Sequence, residues 1–236
     1  MSVSLIVTGP GRSGTSAIAR ILHESGFSMG EALAPASEWN SAGFYEETPV
    51  VEINEQIVND LGMEGMRNWP SRRDVLNASA SYAGAMRHVV AASTARGWKD
   101  PRFSITLEAW LPYLSAPPKV VVCLRSPEAF INSTISIFGL SPRDVLESWW
   151  SNHLRRILDV IREYRLSATS VVFDDLVCNP AETVEALSRF VALPLDAACV
   201  RPELRHHADG VLPHLRSLYD EVRALSWRRS SADDPG

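Results

Sequence analysis

The 236-residue sequence predicts an α/β fold, a P-loop-like parallel sheet flanked by helices on both faces in a single domain. Three observations carry the expectation. A β-branched run, Val3 to Thr8, leads through the glycine-rich TGPGRSGTS (Thr8 to Ser16) into a segment with helical spacing of apolar residues. The near-continuous apolar run KVVVCL, Lys119 to Leu124, suits a strand buried on both faces, and Ser126-Pro127-Glu128 starts a helix straight after it. A third apolar run, Thr169 to Phe173, precedes a further helix start at Asn179-Pro180.

In chain order, Ala17-Ile18 and Ile21-Leu22 keep helical spacing until the stop at Ser25-Gly26. Residues 27 to 48, rich in Gly, Pro, Ser and Asn with isolated aromatics, form a long loop, and loops of this length are commonly functional. Pro49 opens a helix through Leu61, and an alanine-rich helix spans about Asp74 to Ala95 until GWKDPRF breaks it. Ser141-Pro142-Arg143-Asp144 reads as a capping box for a long amphipathic helix to about Tyr164, with Leu146, Trp149, Trp150, His153, Leu154, Ile157 and Ile161 roughly on one side. The helix from Asn179-Pro180 runs through Val191, and a last one spans about Leu212 to Leu225. Residues 1 to 227 make the domain, and 228 to 236 read as a disordered tail.

Composition narrows the function classes. With 45% apolar or aromatic residues and 22% charged, the chain has a full core; its formal charge of -5, without a polybasic tract, argues against nucleic acid as a partner. Cys123, Cys178 and Cys199 are too widely spaced for a CxxC metal motif and too few for a disulfide framework, so they are expected to be reduced and structural. No signal-peptide pattern opens the sequence and no long apolar run follows, which predicts a cytoplasmic protein without an integral membrane segment. Oligomeric state is not constrained.

The chemistry centres on TGPGRSGTS, which is nearly a triphosphate-binding loop but has Thr15 where that motif places a lysine. Gly9, Gly11 and Gly14 let several backbone amides converge at a helix start, Arg12 offers a guanidinium fork for a phosphate or sulfonate, and Ser13, Thr15 and Ser16 add hydroxyls. Arg125 leaves the end of KVVVCL and Ser133 lies eight residues on, about two helical turns past Ser126. Each feature has an ordinary structural explanation when taken alone: a glycine turn, a surface ion pair, a helix serine bonded to its own backbone.

Together they resemble the sulfotransferases that use 3′-phosphoadenosine 5′-phosphosulfate (PAPS). That family carries a Lys/Arg-Ser-Gly-Thr-Ser/Thr loop after its first strand, and an Arg and a Ser eight residues apart hold its 3′-phosphate. Here these are Arg12-Ser13-Gly14-Thr15-Ser16 and Arg125 with Ser133. The resemblance extends to Phe173-Asp174-Asp175-Leu176 with the helix after it, and it is nearest the bacterial branch through Gly43-Phe44-Tyr45-Glu46 and Lys99-Asp100-Pro101-Arg102.

The resemblance implies transfer of a sulfuryl group from PAPS to a hydroxyl or amine of a small-molecule, carbohydrate or lipid acceptor, leaving adenosine 3′,5′-bisphosphate (PAP), with no metal. It assigns the 5′-phosphosulfate to Gly11 through Ser16, the 3′-phosphate to Arg125 and Ser133, and adenine stacking to Phe173. Arg12 and Lys99, the latter beside Arg102, are the candidate cations for charge growing on the bridging oxygen. The acceptor's proton needs a base. Glu46 and Glu38 are the candidates, with Glu47 and Asp100 behind them, while His206 and His207 fall near a basic stretch of the family. Trp39, Phe44, Tyr45, Trp69, Trp149 and Trp150 are available to line an acceptor site or to fill the core.

Two rivals stand beside this reading. The Walker-like loop with Ser170-Val171-Val172-Phe173-Asp174-Asp175 suggests a kinase or nucleoside triphosphatase, which Thr15 opposes because phosphoryl transfer there relies on the lysine. A non-catalytic nucleotide-binding protein is the other.

Overall fold

The computed structural model describes residues 3–37, 40, 43–63, 68–139, 142–200 and 210–225. Four strands, β1 (Leu5–Thr8), β2 (Gly97–Lys99), β3 (Lys119–Leu124) and β4 (Ala168–Val172), form one parallel sheet in the order β2-β1-β3-β4. Ten α-helices accompany them among the described residues: α1 (Thr15–Glu24), α2 (Thr48–Asp60), α3 (Arg72–Ser79), α4 (Ala83–Ala92), α5 (Phe103–Trp110), α6 (Pro127–Phe138), α7 (Arg143–Glu163), α8 (Phe173–Cys178), α9 (Pro180–Val191) and α10 (Arg216–Arg223).

The two-residue period of the strands divides the core. Ile6, Val120, Val122, Leu124 and Val172 face one side, where they pack with α2 to α7 and α10. Leu5, Val7, Val121, Cys123 and Val171 face the other, against Ile18, Ile21 and Leu22 of α1 and Val184, Leu187 and Phe190 of α9. Both faces are therefore covered, which explains why the strands read as unbroken apolar runs instead of alternating ones. Helix α5 is buried at every position from Phe103 to Trp110, with Trp98, Phe103 and Trp110 forming an aromatic knot against it.

Several boundaries differ from the sequence expectation. The alanine-rich helix is two helices, α3 and α4, separated by a 3-10 turn at Ala80–Tyr82. Ser79 Oγ donates to the Val75 carbonyl at 2.6 Å, a back-bond that bends helices at that point. Phe173 leaves β4 and begins α8, because Asp174 and Asp175 favour the positive end of a helix. Helix α7 is entered through Pro142 without a side-chain cap, so Asp144 closes no capping box there, and Ser141 lies outside the described residues. A complete capping box does occur at Ser71 and Asp74. The last helix opens with a 3-10 turn, Pro213–Leu215, before α10. No described helix is long and apolar enough to cross a membrane.

Candidate functional site

All four strands deliver residues to one rim at their carboxyl ends, where ligands bind in open parallel sheets. The loop of residues 9 to 14 follows β1, Lys99 ends β2, Arg125 follows β3, and Phe173 follows β4.

The loop's shape requires its glycines. Gly9 has φ +142°, and a Cβ there would lie 2.3 Å from the Cys123 carbonyl oxygen. Gly14, with φ +87°, caps α1, and a Cβ would lie 2.4 Å from the Phe173 ring. Between them Arg12 adopts φ 67°, a left-handed conformation that a non-glycine residue holds only under constraint. The loop thus presses on β3 below and on Phe173 beside it. Ser13 and Thr15 are buried, and Ser13 Oγ has no hydrogen-bond partner among the described residues.

The second turn meets the first. Arg12 Nε donates to Ser133 Oγ at 3.2 Å, and Arg125 Nη1 donates to the Arg12 carbonyl at 3.2 Å. Arg125 also lies over the Phe173 ring, 4.9 Å from its centroid, and its own carbonyl accepts from Trp150 Nε1 at 3.2 Å. Ser126 caps α6 by accepting from the Ala129 amide. Burial, and then the neighbouring charge of Arg125, lower the pKa of Arg12. Among the described residues no carboxylate pairs with Arg12. Two guanidinium groups held side by side in partial burial make a site for an anion.

At the other flank Lys99, 2% exposed, donates to Glu46 Oε1 at 2.5 Å and to Ser16 Oγ at 3.0 Å. Asn40 Nδ2 also reaches Ser16 Oγ, at 3.1 Å. Burial raises the Glu46 pKa, and the Lys99 charge works against that rise. Tyr45 has φ 57°, so the chain kinks there and turns Glu46 inward. Phe44 lies 5.9 Å from Lys99 Nζ.

The other carboxylates are otherwise engaged. Glu47 stands at the N-cap position of α2 without a side-chain cap bond; its carboxylate accepts from the Ala32 and Glu31 backbone and lies over Gly30, where a Cβ would clash with it. Asp100 is fully buried and accepts from Asn54 Nδ2 at 3.0 Å and from the Arg102 amide at 2.8 Å. Arg102 pairs with Asp100 and Glu55, and Glu108 bonds Arg72. Asp175 pairs with Arg223 at 3.0 Å. Glu38, Trp39, His206 and His207 lie outside the described residues. Phe173 is a core residue that supports Gly14 and Arg125.

Sequence reasoning passed over Asn54. It sits with Val50, Ile53 and Ile57 on the buried face of α2, and its Oδ1 accepts from Thr106 Oγ1 and Trp110 Nε1, each at 2.8 Å. A lone asparagine at an apolar position was the signal. Asn40 and Ser104 carried no comparable sign.

No protein-family model and no curated protein matches the chain in sequence. Solved structures do match. The sulfotransferase domain from the curacin biosynthetic pathway aligns over 98% of this chain and 94% of its own, with 16% identity and a TM-score of 0.50. The sulfotransferase domain of the Synechococcus PCC 7002 olefin synthase covers 97% and 89%, at 18% identity and TM-score 0.49. Sulfotransferase STF1 from Mycobacterium tuberculosis H37Rv covers 95% and 77%, at 16% identity and 0.45. The chain has the sulfotransferase-like, P-loop-like α/β fold of the curacin-pathway domain.

Proposed function

We propose that this protein is a PAPS-dependent sulfotransferase. The observation that carries the reading is the junction of Arg12, Arg125 and Ser133. Arg12 and Ser133 are 121 positions apart and touch through a hydrogen bond, with Arg125 bonded to the Arg12 backbone. A single phosphate loop has no need of such a second cationic turn, whereas a donor with phosphates at both its 3′ and 5′ positions does.

In this reading Gly11, Arg12, Ser13, Gly14, Thr15 and Ser16 hold the 5′-phosphosulfate, Arg125 and Ser133 the 3′-phosphate, and Phe173 flanks the adenine. The loop suits such a ligand: it leads into the N-terminus of α1, and the buried Ser13 hydroxyl has no partner among the described residues. In transfer, the acceptor oxygen bonds to sulfur as the sulfur–oxygen bond to the 5′-phosphate breaks. The acceptor's proton passes to a carboxylate, and negative charge collects on the departing phosphate. Glu46 is the base we propose, since Glu47 and Asp100 are bound elsewhere; Glu38 remains a second candidate by its place in the sequence. Lys99 contacts Ser16 at the start of α1 and opposes the rise that burial gives the Glu46 pKa, while Arg12 meets the departing charge.

The acceptor is a small molecule, carbohydrate or lipid bearing a hydroxyl or amine. Titration of the full chain with PAP and, separately, with ATP and magnesium tests the donor. PAP is expected to bind more tightly, and sulfuryl transfer from labelled PAPS should follow without added metal. Tighter binding of ATP with magnesium would instead support the kinase reading and sink this one.

A further inference from the structure

His153 on α7 is buried, with its ring between two indoles. Trp69 and Trp149 lie 5.0 and 4.9 Å from it by ring centroids and 5.4 Å from each other, all three rings tilted edge to face. His153 Nδ1 bonds Ser104 Oγ, and Ser104 Oγ donates to the Pro101 carbonyl at 2.8 Å. The serine hydrogen is thereby used, so Nδ1 carries the ring's proton and Nε2 presents a lone pair. Nε2 is buried without a hydrogen-bond partner among the described residues. Burial, with the nearby Arg156 charge, pushes the histidine down to about 3, so the ring is neutral at any working pH.

The cluster stands at the reactive rim. Pro101 is two residues beyond Lys99, and its carbonyl also accepts from Thr8 Oγ1 at the end of β1, at 3.3 Å. On the same helix as His153, Trp150 holds the Arg125 carbonyl. The three rings therefore lie between the turn that bears Lys99 and the turn that bears Arg125, on the α7 side of the sheet, while the phosphate loop leads into α1 on the opposite side.

We propose that Trp69, Trp149 and His153 form a subsite for the acceptor, selecting a flat, apolar molecule without positive charge that carries a hydrogen-bond donor in addition to the hydroxyl it gives up. The indoles lie against the ring system, and His153 Nε2 accepts from the second donor. Arg156, whose guanidinium lies 5.7 Å from the Trp69 ring centroid, disfavours a cation. His153 positions the acceptor and does not deprotonate it, since so weak a base holds no proton at neutral pH. Both indoles are only half-buried, and one of them turns aside to admit the ligand, Trp69 being in a segment without regular structure before α3.

The inference rests on the sulfotransferase reading, and the test separates the two. The full chain saturated with PAP is titrated with naphthalene-2,6-diol and with 6-methoxy-2-naphthol, which lacks one donor. The diol is expected to bind roughly 10-fold more tightly, the usual worth of one buried hydrogen bond. In His153→Phe the preference should vanish, because one hydroxyl then satisfies every remaining partner. Trp149→Ala, at a half-buried position, should weaken both compounds alike and leave PAP affinity unchanged; it keeps the test open should His153→Phe not fold. PAP binding with no binding of either naphthol, or a preference that survives in His153→Phe, overturns the subsite alone. Failure of PAP itself to bind overturns the sulfotransferase reading, and the subsite with it.

Discussion

Arg12 combines a strained backbone with a side chain whose only neighbouring charge among the described residues is of its own sign, and substitution there separates stability from function. Its φ of 67° costs a non-glycine residue about 1 kcal/mol relative to glycine. Arg12→Ala removes the guanidinium and keeps that cost, while Arg12→Gly removes both. The two variants lose the same side-chain bond to Ser133, and both retain the Arg12 carbonyl that Arg125 holds. Arg12→Gly should therefore be the more stable of the two by about 1 kcal/mol, which for a chain of this size is about 2–4 °C in Tm. Relief of repulsion from Arg125 should leave both ligand-free variants no less stable than the parent by more than about 1 kcal/mol. Binding should behave oppositely. Both variants should lose the thermal shift that PAP gives the parent, and turnover should drop at least ~100-fold, as when one stabiliser of developing charge is removed. Differential scanning fluorimetry with and without PAP, followed by transfer from labelled PAPS, measures each quantity. Normal turnover in either variant would show that the guanidinium takes no part. An Arg12→Gly protein less stable than Arg12→Ala would show that the loop is not held in the left-handed conformation.

Glu46→Gln should lower kcat by about 100-fold or more while leaving PAP affinity within a few-fold, since a proton acceptor is lost and no phosphate contact is; an active Glu46→Gln enzyme would move the base to Glu38. Because burial raises the Glu46 pKa, the ionised form disappears as pH falls through a value above the ordinary carboxylate range, and the acidic limb of kcat should stand there. Lys99 opposes that rise, so Lys99→Met should carry the limb to still higher pH; a limb that moves down, or stays, would refute the pairing. Asn54→Ala should destabilise the fold by about 3 kcal/mol in urea unfolding, since the buried Asp100 Oδ2 and Trp110 Nε1 both lose their bond to it. A loss under about 1 kcal/mol would show that the network beneath the Lys99–Arg102 turn is dispensable.

Local patterns determined β1, β3 and β4, the phosphate loop and most helices, because each follows from spacing within a few residues; the three-residue β2, Gly97–Lys99, is too short to leave such a pattern. KVVVCL could only be a strand covered on both faces, and the glycines of TGPGRSGTS had to admit conformations that a side chain forbids, as the contacts of Gly9 with Cys123 and Gly14 with Phe173 bear out. The break between α3 and α4 was not legible, since it turns on one serine bonding back to its own helix. Arg12, Arg125 and Ser133 could be nominated from the resemblance, but their contact across the rim is a product of the strand order, which sets β3 directly beside β1. The same holds for the carboxylates. Glu46, Glu47 and Asp100 were equivalent as letters, and folding separated them by setting each against a different partner: Lys99, the turn at Gly30, and Asn54 with the Arg102 amide. Sequence alone determined which chemical groups the rim could hold. Only tertiary structure decided which are opposed, paired or left with a lone pair, because the cost of burying charge depends on neighbours that lie far away along the chain.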